Sequence, residues 1–201
     1  MEDSVNDIKK YIKEIKLGNI VIKNNVFLAP MAGITDLPFR HIVIKYNPGL
    51  MFTEMVSAKA LVYEDIKTNK MLTLMVNERP SAVQIFASNK EDVKGAIEKL
   101  NLIEEIDIID INMGCPVSKI VKNGEGAALL KDLKVAEEII KTAVETSNKI
   151  ITVKTRIGYT ESEETAVKLA QICEKHGVKM ITIHGRTKEQ MYTRKSKLRG
   201  N

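Results

Sequence analysis

Short apolar runs rich in β-branched residues alternate with longer amphipathic segments along this chain. Such runs are typical of strands buried on both faces, so the alternation predicts a parallel sheet covered by helices. The predicted strands are residues 26–29, 50–54, 81–86, 106–112, 150–156 and 180–184. The predicted helices are residues 38–46, 57–63, 90–100, 133–147 and 165–176, with Asp132 and Thr160 as candidate entry residues. Ile8, Ile12 and Ile15 also recur at helical spacing before the first strand.

Two architectures share this alternation, the doubly wound open sheet and the (β/α)₈ barrel. A dinucleotide-binding open sheet carries GxGxxG after its first strand, where this chain reads APMAGITD. Polar residues instead lie at or near the ends of most later strands: Glu54, Gln84, Asn112, Lys154, Arg156, His184 and Arg186. Functional residues at strand carboxyl ends are typical of barrels. The sequence therefore predicts an α/β fold of the TIM (β/α)₈ barrel type, incomplete because about six βα units are present.

The composition excludes several classes of protein. With 201 residues, 44% hydrophobic and 28% charged, the chain is expected to form one compact globular domain and not a disordered or disulfide-stapled one. No apolar run is long enough to predict a membrane span or a signal peptide, so the cytoplasm is the expected location. The two cysteines lie far apart, and no Cys/His spacing matches a metal site.

Charge and aromatic content bear on nucleic-acid binding. Lys and Arg total 31 against 26 Asp and Glu, which weakly favours a polyanionic partner. The chain has no Trp, four Phe and five Tyr, too few aromatic residues to predict a base-stacking platform. We therefore expect the chemistry to lie in a pocket.

Cys115 lies in the loop after the fourth predicted strand, within IDINMGCPVSKIVKNGEGAALL. A lone cysteine is most often a buried and inert residue. Cys115, however, precedes Pro116 in a segment rich in Gly, Asn and Lys, a poor environment for a packing residue, so a functional role is favoured. Cys173 lies on the apolar side of a predicted helix and is expected to be structural.

Lys154 and Arg156 end the fifth predicted strand and, being two residues apart, point to the same side of it. Two inward-facing cations are costly unless they meet an anionic or carbonyl group of a ligand, so a functional role is favoured over a solvated face. His184 could be a satisfied core residue, and only its place at the end of the sixth strand favours a function. Gln84 alone is a weaker signal.

Six segments in order resemble the tRNA-dihydrouridine synthases, most of all the bacterial B-type subgroup. They are LAPMAGITDLPFR (28–40), TEMVSAKAL (53–61), VQIFAS (83–88), DINMGCPVSKIVKNGEGAALL (110–130), VKTRIG (153–158) and TIHGRTKEQMY (182–192). The resemblance covers about residues 17–192 and implies reduction of uridine to 5,6-dihydrouridine in tRNA. It implies that NADPH (or NADH) reduces FMN, and that hydride then passes to carbon 6 of the uracil while a cysteine thiol protonates carbon 5.

The resemblance also implies roles for individual residues. Cys115 matches the catalytic proton donor. The positions implied to bind the FMN cofactor are Pro30, Met31, Ala32, Gln84, Lys154 and His184. The positions implied to bind substrate are Asn112, Arg156 and Arg186. The implied partner is tRNA, whose target uracil must be extruded to reach the flavin, and neither a metal nor a membrane is expected.

Departure from the family's pattern begins after Tyr192. Residues 1–192 are expected to form the N-terminal part of an FMN-binding catalytic barrel, and residues 193–201 a divergent basic tail. The family's C-terminal tRNA-binding helical domain, and the motifs that hold the FMN phosphate, are expected to be absent. We therefore expect FMN to bind weakly or not at all, and the unclosed barrel to cause poor solubility or self-association. Two alternatives stay open: a non-catalytic tRNA- or partner-binding remnant, and another FMN-barrel oxidoreductase acting on a small molecule.

Overall fold

The protein is described by a computed structural model that covers residues 10–161 and 165–193. Within these ranges the chain opens with an antiparallel hairpin of β1 (Ile15–Leu17) and β2 (Ile20–Ile22). Six parallel strands follow, each hydrogen-bonded to the one before it in the chain. They are β3 (Phe27–Leu28), β4 (Leu50–Ser57), β5 (Ser81–Phe86), β6 (Ile108–Met113), β7 (Ile150–Arg156) and β8 (Met180–His184).

Helices separate the strands of this sheet. They are α1 (Leu37–Val43), α2 (Ala58–Val62), α3 (Ile66–Met71), α4 (Lys90–Leu100), α5 (Ser118–Lys122), α6 (Leu133–Thr146) and α7 (Ala166–His176). Two 3₁₀ helices, η1 (Ile44–Tyr46) and η2 (Gly126–Lys131), complete the set in the described ranges. Sequential parallel strands with helical crossovers form the wall of a (β/α) barrel. The predicted incomplete barrel is therefore confirmed, and in the part of the chain that the structure describes β3 and β8 are the two edges of the sheet.

The N-terminal segment differs from its predicted helical pattern. Ile15 begins a strand, Ile12 lies in irregular structure, and Ile8 lies outside the described residues. Leu17 and Ile22 of the hairpin are buried together with apolar residues at the amino-terminal ends of β4, β5 and β6: Leu50, Phe52, Ala82 and Ile108. This apolar cluster covers the amino-terminal end of the sheet. The segment forms a hairpin and not a helix because the free energy gained by burying both hairpin strands against the sheet outweighs the local helical preference.

The helix-entry residues were predicted with mixed success. Asp132 caps α6, since its carboxylate accepts hydrogen bonds from the backbone N–H groups of Lys134 (3.0 Å) and Val135 (3.3 Å). The prediction that Thr160 is a helix-entry residue was wrong, because α7 begins after Thr165, whose side chain makes no capping hydrogen bond. The predicted basic tail lies outside the described residues beyond Thr193.

The main core lies between the sheet and its helical layer. On β6, Ile109, Ile111 and Met113 face this core, where they meet the apolar faces of α4 and α6. Because side chains alternate along a strand, the intervening residues of β6 face the opposite side of the sheet. That opposite side is the inner surface of the barrel. Among the described residues, no helix is both long and apolar enough to cross a bilayer.

Candidate functional site

A polar layer lies on the inner surface of the sheet, near the carboxyl ends of its central strands. The strand register pairs Gln84 of β5 with Asp110 of β6, and Asn112 of β6 with Lys154 of β7. Paired residues of neighbouring strands point to the same face. The four polar side chains are therefore neighbours, in line with the strand-end pattern of the sequence.

A cavity of about 550 Å³ opens above this layer. Nine of the ten predicted site residues line it: Pro30, Met31, Ala32, Gln84, Asn112, Cys115, Lys154, Arg156 and His184. The tenth, Arg186, is not among the lining residues, although its Nη1 lies 3.2 Å from Nε2 of His184. A volume in this range with a few converging polar groups is typical of small-molecule and cofactor pockets. Nine of the predicted residues therefore lie around one cavity, and their roles stay predictions.

Asn112 shapes the turn that carries Cys115. Its Oδ1 accepts hydrogen bonds from the backbone N–H groups of Gly114 (3.1 Å) and Cys115 (2.9 Å). Its Nδ2 donates to Oε1 of Gln84 at 2.8 Å. Both the oxygen and the nitrogen of the Asn112 amide are thus hydrogen-bonded within the protein, which fixes the backbone next to the thiol.

Cys115 lines the cavity and is partly exposed. Burial is the largest influence on its thiol and raises its pKa above the ordinary value, so the group carries its proton at neutral pH. The carbonyl of Cys115 accepts a 3.0 Å hydrogen bond from the N–H of Ala127, and the backbone there is close-packed, since a Cβ added to Gly126 would lie 2.9 Å from the same carbonyl oxygen. Cys173 is buried in the helix-facing core, and burial raises its pKa to about 12. The two cysteines therefore occupy different environments, as their sequence contexts predict.

Lys154 presents its side chain to the cavity between β6 and β8. Within residues 10–161 and 165–193 its ammonium makes no hydrogen bond or ion pair. Burial lowers its pKa, while the carboxyl group of Asp110 acts in the opposite direction. A half-buried cation without a hydrogen-bonded partner is costly, so the cavity is suited to a ligand with an anionic or carbonyl group at this point.

Arg156 also lines the cavity, but its guanidinium is engaged with the protein backbone. Nε donates to the carbonyl of Gly114 at 2.8 Å, and Nη1 donates to the carbonyls of Thr187 (2.9 Å) and Met191 (2.8 Å). The side chain also lies over the ring of Tyr192, 5.5 Å from its centroid. Arg156 therefore ties the Cys115 turn to the segment after β8, and its contact with substrate stays a prediction.

His184 ends β8 at the side of the cavity. Its ring lies 6.4 Å from that of Tyr192, centroid to centroid. Burial, followed by the positive charges of Arg156, Lys154 and Arg186, lowers its pKa to about 4. The imidazole is therefore neutral at physiological pH and can both donate and accept a hydrogen bond.

The loop after β3 forms the wall opposite these residues and contains Pro30, Met31 and Ala32. Thr35 holds the loop, because its Oγ1 accepts a 3.0 Å hydrogen bond from the N–H of Met31. Arg40 of α1 donates to the carbonyl of Thr35 at 2.8 Å and is ion-paired with Glu78 in the protein interior. A buried charge pair thus braces the loop from behind.

Several residues of the site have no assigned role in the sequence analysis. Tyr192 and Met55 line the cavity, and Glu54 accepts a hydrogen bond from the N–H of Gly33 in the loop after β3. Asp110 lies fully buried below the cavity. Its sequence signal was a carboxylate within an otherwise apolar strand, which is rare unless the group is hydrogen-bonded or functional.

Comparison with known sequences decides the family. The sequence pattern of the family described as "Dihydrouridine synthase (Dus)" matches residues 27–199, which include every residue of the cavity. The chain belongs to the dihydrouridine synthase family. The resemblance found in the six sequence segments is thereby confirmed.

Curated relatives carry matching names. A probable tRNA-dihydrouridine synthase of Rickettsia conorii is 40% identical over 179 residues, covering 89% of this chain and 54% of that protein. One from Helicobacter pylori is 41% identical over 171 residues, covering 85% and 52%. The tRNA-dihydrouridine synthase B of Vibrio parahaemolyticus is 39% identical over 181 residues, covering 89% and 55%. The chain spans about half the length of these family members.

Among solved structures, the Old Yellow Enzyme from Pichia sp. AKU4542 is similar with a TM-score of 0.53 and 12% sequence identity. The match covers 86% of this chain and 70% of that one. At this identity the similarity supports the barrel fold alone.

Proposed function

We propose that this chain carries the active-site half of an enzyme that reduces uridine in tRNA to 5,6-dihydrouridine, with FMN as cofactor and NADPH or NADH as the source of electrons. The observation that carries the proposal is the convergence of nine predicted residues on one cavity, with Cys115 at its wall. Membership of the family and the names of its relatives support the same reaction.

The cavity residues fit a flavin. Lys154 offers an ammonium without a hydrogen-bonded partner among the described residues, which suits the electron-rich pyrimidine end of a flavin ring. Met31 and Ala32 supply an apolar wall, and neutral His184 supplies a hydrogen-bonding group on the opposite side. When bound, FMN would supply the hydride for carbon 6 of the uracil, and the protein contributes placement and electrostatics.

Cys115 is the proposed proton donor. Its raised pKa keeps the thiol protonated at neutral pH, so the S–H bond can break as a C–H bond forms at carbon 5 of the uracil. The thiolate left behind then takes a proton from solvent. The nearby charge of Arg156 favours that transient thiolate. Asn112 and Arg156 both hold the peptide group that precedes Cys115, since Asn112 accepts from its N–H and Arg156 donates to its carbonyl, so the position of the thiol is set before substrate binds.

The tRNA substrate is expected at the carboxyl-terminal face of the sheet. Lys119 and Lys122 of α5 are exposed and follow the Cys115 turn directly, so they would meet phosphate groups around an extruded uracil. A tRNA substrate also supports the cytoplasm as the place of action. Arg186, at the margin of the cavity, is proposed to contact the substrate.

Self-association stays a prediction that follows from the two sheet edges, β3 and β8. Light scattering of the purified 201-residue chain tests it. A mass above that of the 22.5 kDa monomer is expected, and a clean monomer would contradict it.

The function itself is tested with an unmodified tRNA transcript. The 201-residue chain is incubated with the transcript, FMN in excess and NADPH, and nucleosides are analysed by mass spectrometry. Dihydrouridine, about 2 Da heavier than uridine, is expected. It should be missing when either FMN or NADPH is omitted. If no dihydrouridine forms in any tRNA while the chain still binds tRNA, the non-catalytic alternative is correct.

A further inference from the structure

A series of hydrogen bonds holds the Cys115 turn, and its final acceptor is the buried carboxylate of Asp110. Asp110 is 1% exposed and lies on the inner face of the sheet, below the cavity. It accepts hydrogen bonds from Oγ1 of Thr152 at 2.5 Å and from Nε2 of Gln84 at 2.6 Å. The reaction proposed above requires no contact between this carboxyl group and substrate or cofactor, so its presence needs another explanation.

The hydrogen bonds continue from Asp110 to the turn without interruption. Gln84 donates to Asp110 through Nε2 and accepts from Nδ2 of Asn112 through Oε1. Asn112 in turn accepts from the backbone N–H groups of Gly114 and Cys115. A carboxylate can only accept and a backbone N–H can only donate, so the two amides between them are held in a single orientation.

We propose that Asp110 is a positioning residue, whose carboxylate anchors the hydrogen bonds through Gln84 and Asn112 and thereby fixes the turn that presents Cys115. The proposal rests on the proposed function for its catalytic meaning, since it assumes that Cys115 is the proton donor. Its structural content does not depend on flavin or tRNA.

Stability alone does not account for a carboxylate here. Burial raises the pKa of Asp110 to about 6, and the hydrogen bonds from Thr152 and Gln84, with the charge of Lys154, only partly offset this effect. The charged form is therefore held in the folded protein at a cost. An apolar side chain would avoid that cost, but it would leave Nε2 of Gln84 without an acceptor.

The first test replaces the carboxylate by an apolar side chain of similar size. In Asp110→Leu no group at position 110 can accept the hydrogen bond from Nε2 of Gln84, so the first of the hydrogen bonds that lead to the turn is lost. Backbone amide hydrogen exchange, followed by NMR on the 201-residue chain, should then be at least fivefold faster at Gly114 and Cys115. Amides of Ile139 and Ile140, in the buried core of α6, should be unchanged and report global opening.

Thr152→Val is the matched control. It also removes one hydrogen bond to the same carboxylate, but it leaves the bond from Gln84 in place. Exchange at Gly114 and Cys115 should change less than twofold. Equal acceleration in Thr152→Val and Asp110→Leu would overturn the proposal, because the loss of any hydrogen bond at Asp110 would then have the same effect.

A rescue variant moves the charge one step along the hydrogen bonds. In Asp110→Asn with Gln84→Glu, the new amide can donate to the carboxylate at position 84, which still accepts from Nδ2 of Asn112. Protection at Gly114 and Cys115 should return to within twofold of the original chain. A folded double variant without this protection overturns the proposal, also where Asp110→Leu alone does not fold.

The original chain offers a further measurement that needs no variant. Scalar couplings across hydrogen bonds should connect the Cys115 amide nitrogen with Cγ of Asn112, and Nε2 of Gln84 with Cγ of Asp110. Absence of either coupling overturns the proposal. If the couplings and the rescue are observed but the chain makes no dihydrouridine, the positioning role of Asp110 stands and the proposed function fails.

Discussion

Replacement of Gly126 by alanine should strain the backbone behind Cys115. Gly126 has φ of +60°, and a Cβ built on it would lie 2.9 Å from the carbonyl oxygen and 3.0 Å from the Cβ of Cys115. The left-handed conformation costs an alanine roughly 1–2 kcal/mol. Overpacking against close-packed atoms adds roughly 1–3 kcal/mol. The free energy of unfolding should therefore fall by about 2–5 kcal/mol, the sum of these two effects.

Gly177→Ala separates the two contributions. Gly177 has φ of +87° at the end of α7, and a Cβ there would meet nothing within 4 Å. This control should lose only about 1–2 kcal/mol. Urea unfolding followed by circular dichroism measures both variants. If Gly126→Ala is no less stable than Gly177→Ala, the result contradicts the claim that Gly126 is packed closely against Cys115.

Three further predictions concern single side chains. At pH 8, iodoacetamide should modify Cys115 much faster than Cys173, which is buried and has a pKa raised to about 12, as peptide mass spectrometry would show. Arg40→Met should lower the free energy of unfolding by about 3–5 kcal/mol, since it leaves Glu78 buried without its partner. His184 should titrate near pH 4 by NMR. Because the unfolded imidazole binds its proton near 6.5, this residue makes stability fall as the pH drops from 6.5 to 4, and His184→Gln should reduce that fall.

The strands were predictable because each is a short apolar run with clear boundaries. The bounds of β5, β7 and β8, and of helix α4, agree with those predicted from the sequence. Elements that depend on tertiary packing were missed. The β1–β2 hairpin is stabilised by packing on the amino-terminal end of the sheet. The helices α5 and η2 are short, lie next to glycines and lack a full helical period of apolar residues.

The site was predictable to a similar degree. The rule that functional residues gather at strand carboxyl ends brings Asn112 and Lys154 together from sequence spacing alone. Two carbonyl partners of Arg156, those of Thr187 and Met191, belong to the segment after β8, and their positions follow from the folded chain only. The same is true of Arg186, which the fold places beside His184 and outside the cavity wall.

The central claim is that Cys115 donates the proton in a uridine-reducing site. Its most direct test compares dihydrouridine formation by Cys115→Ala and Cys173→Ala under identical conditions, with FMN, NADPH and a tRNA transcript. Loss of a general acid is expected to lower the rate about 10²–10⁴-fold in Cys115→Ala, whereas Cys173→Ala, altered in the helix-facing core and not in the cavity wall, should keep the original rate. Equal rates in the two variants would contradict the account.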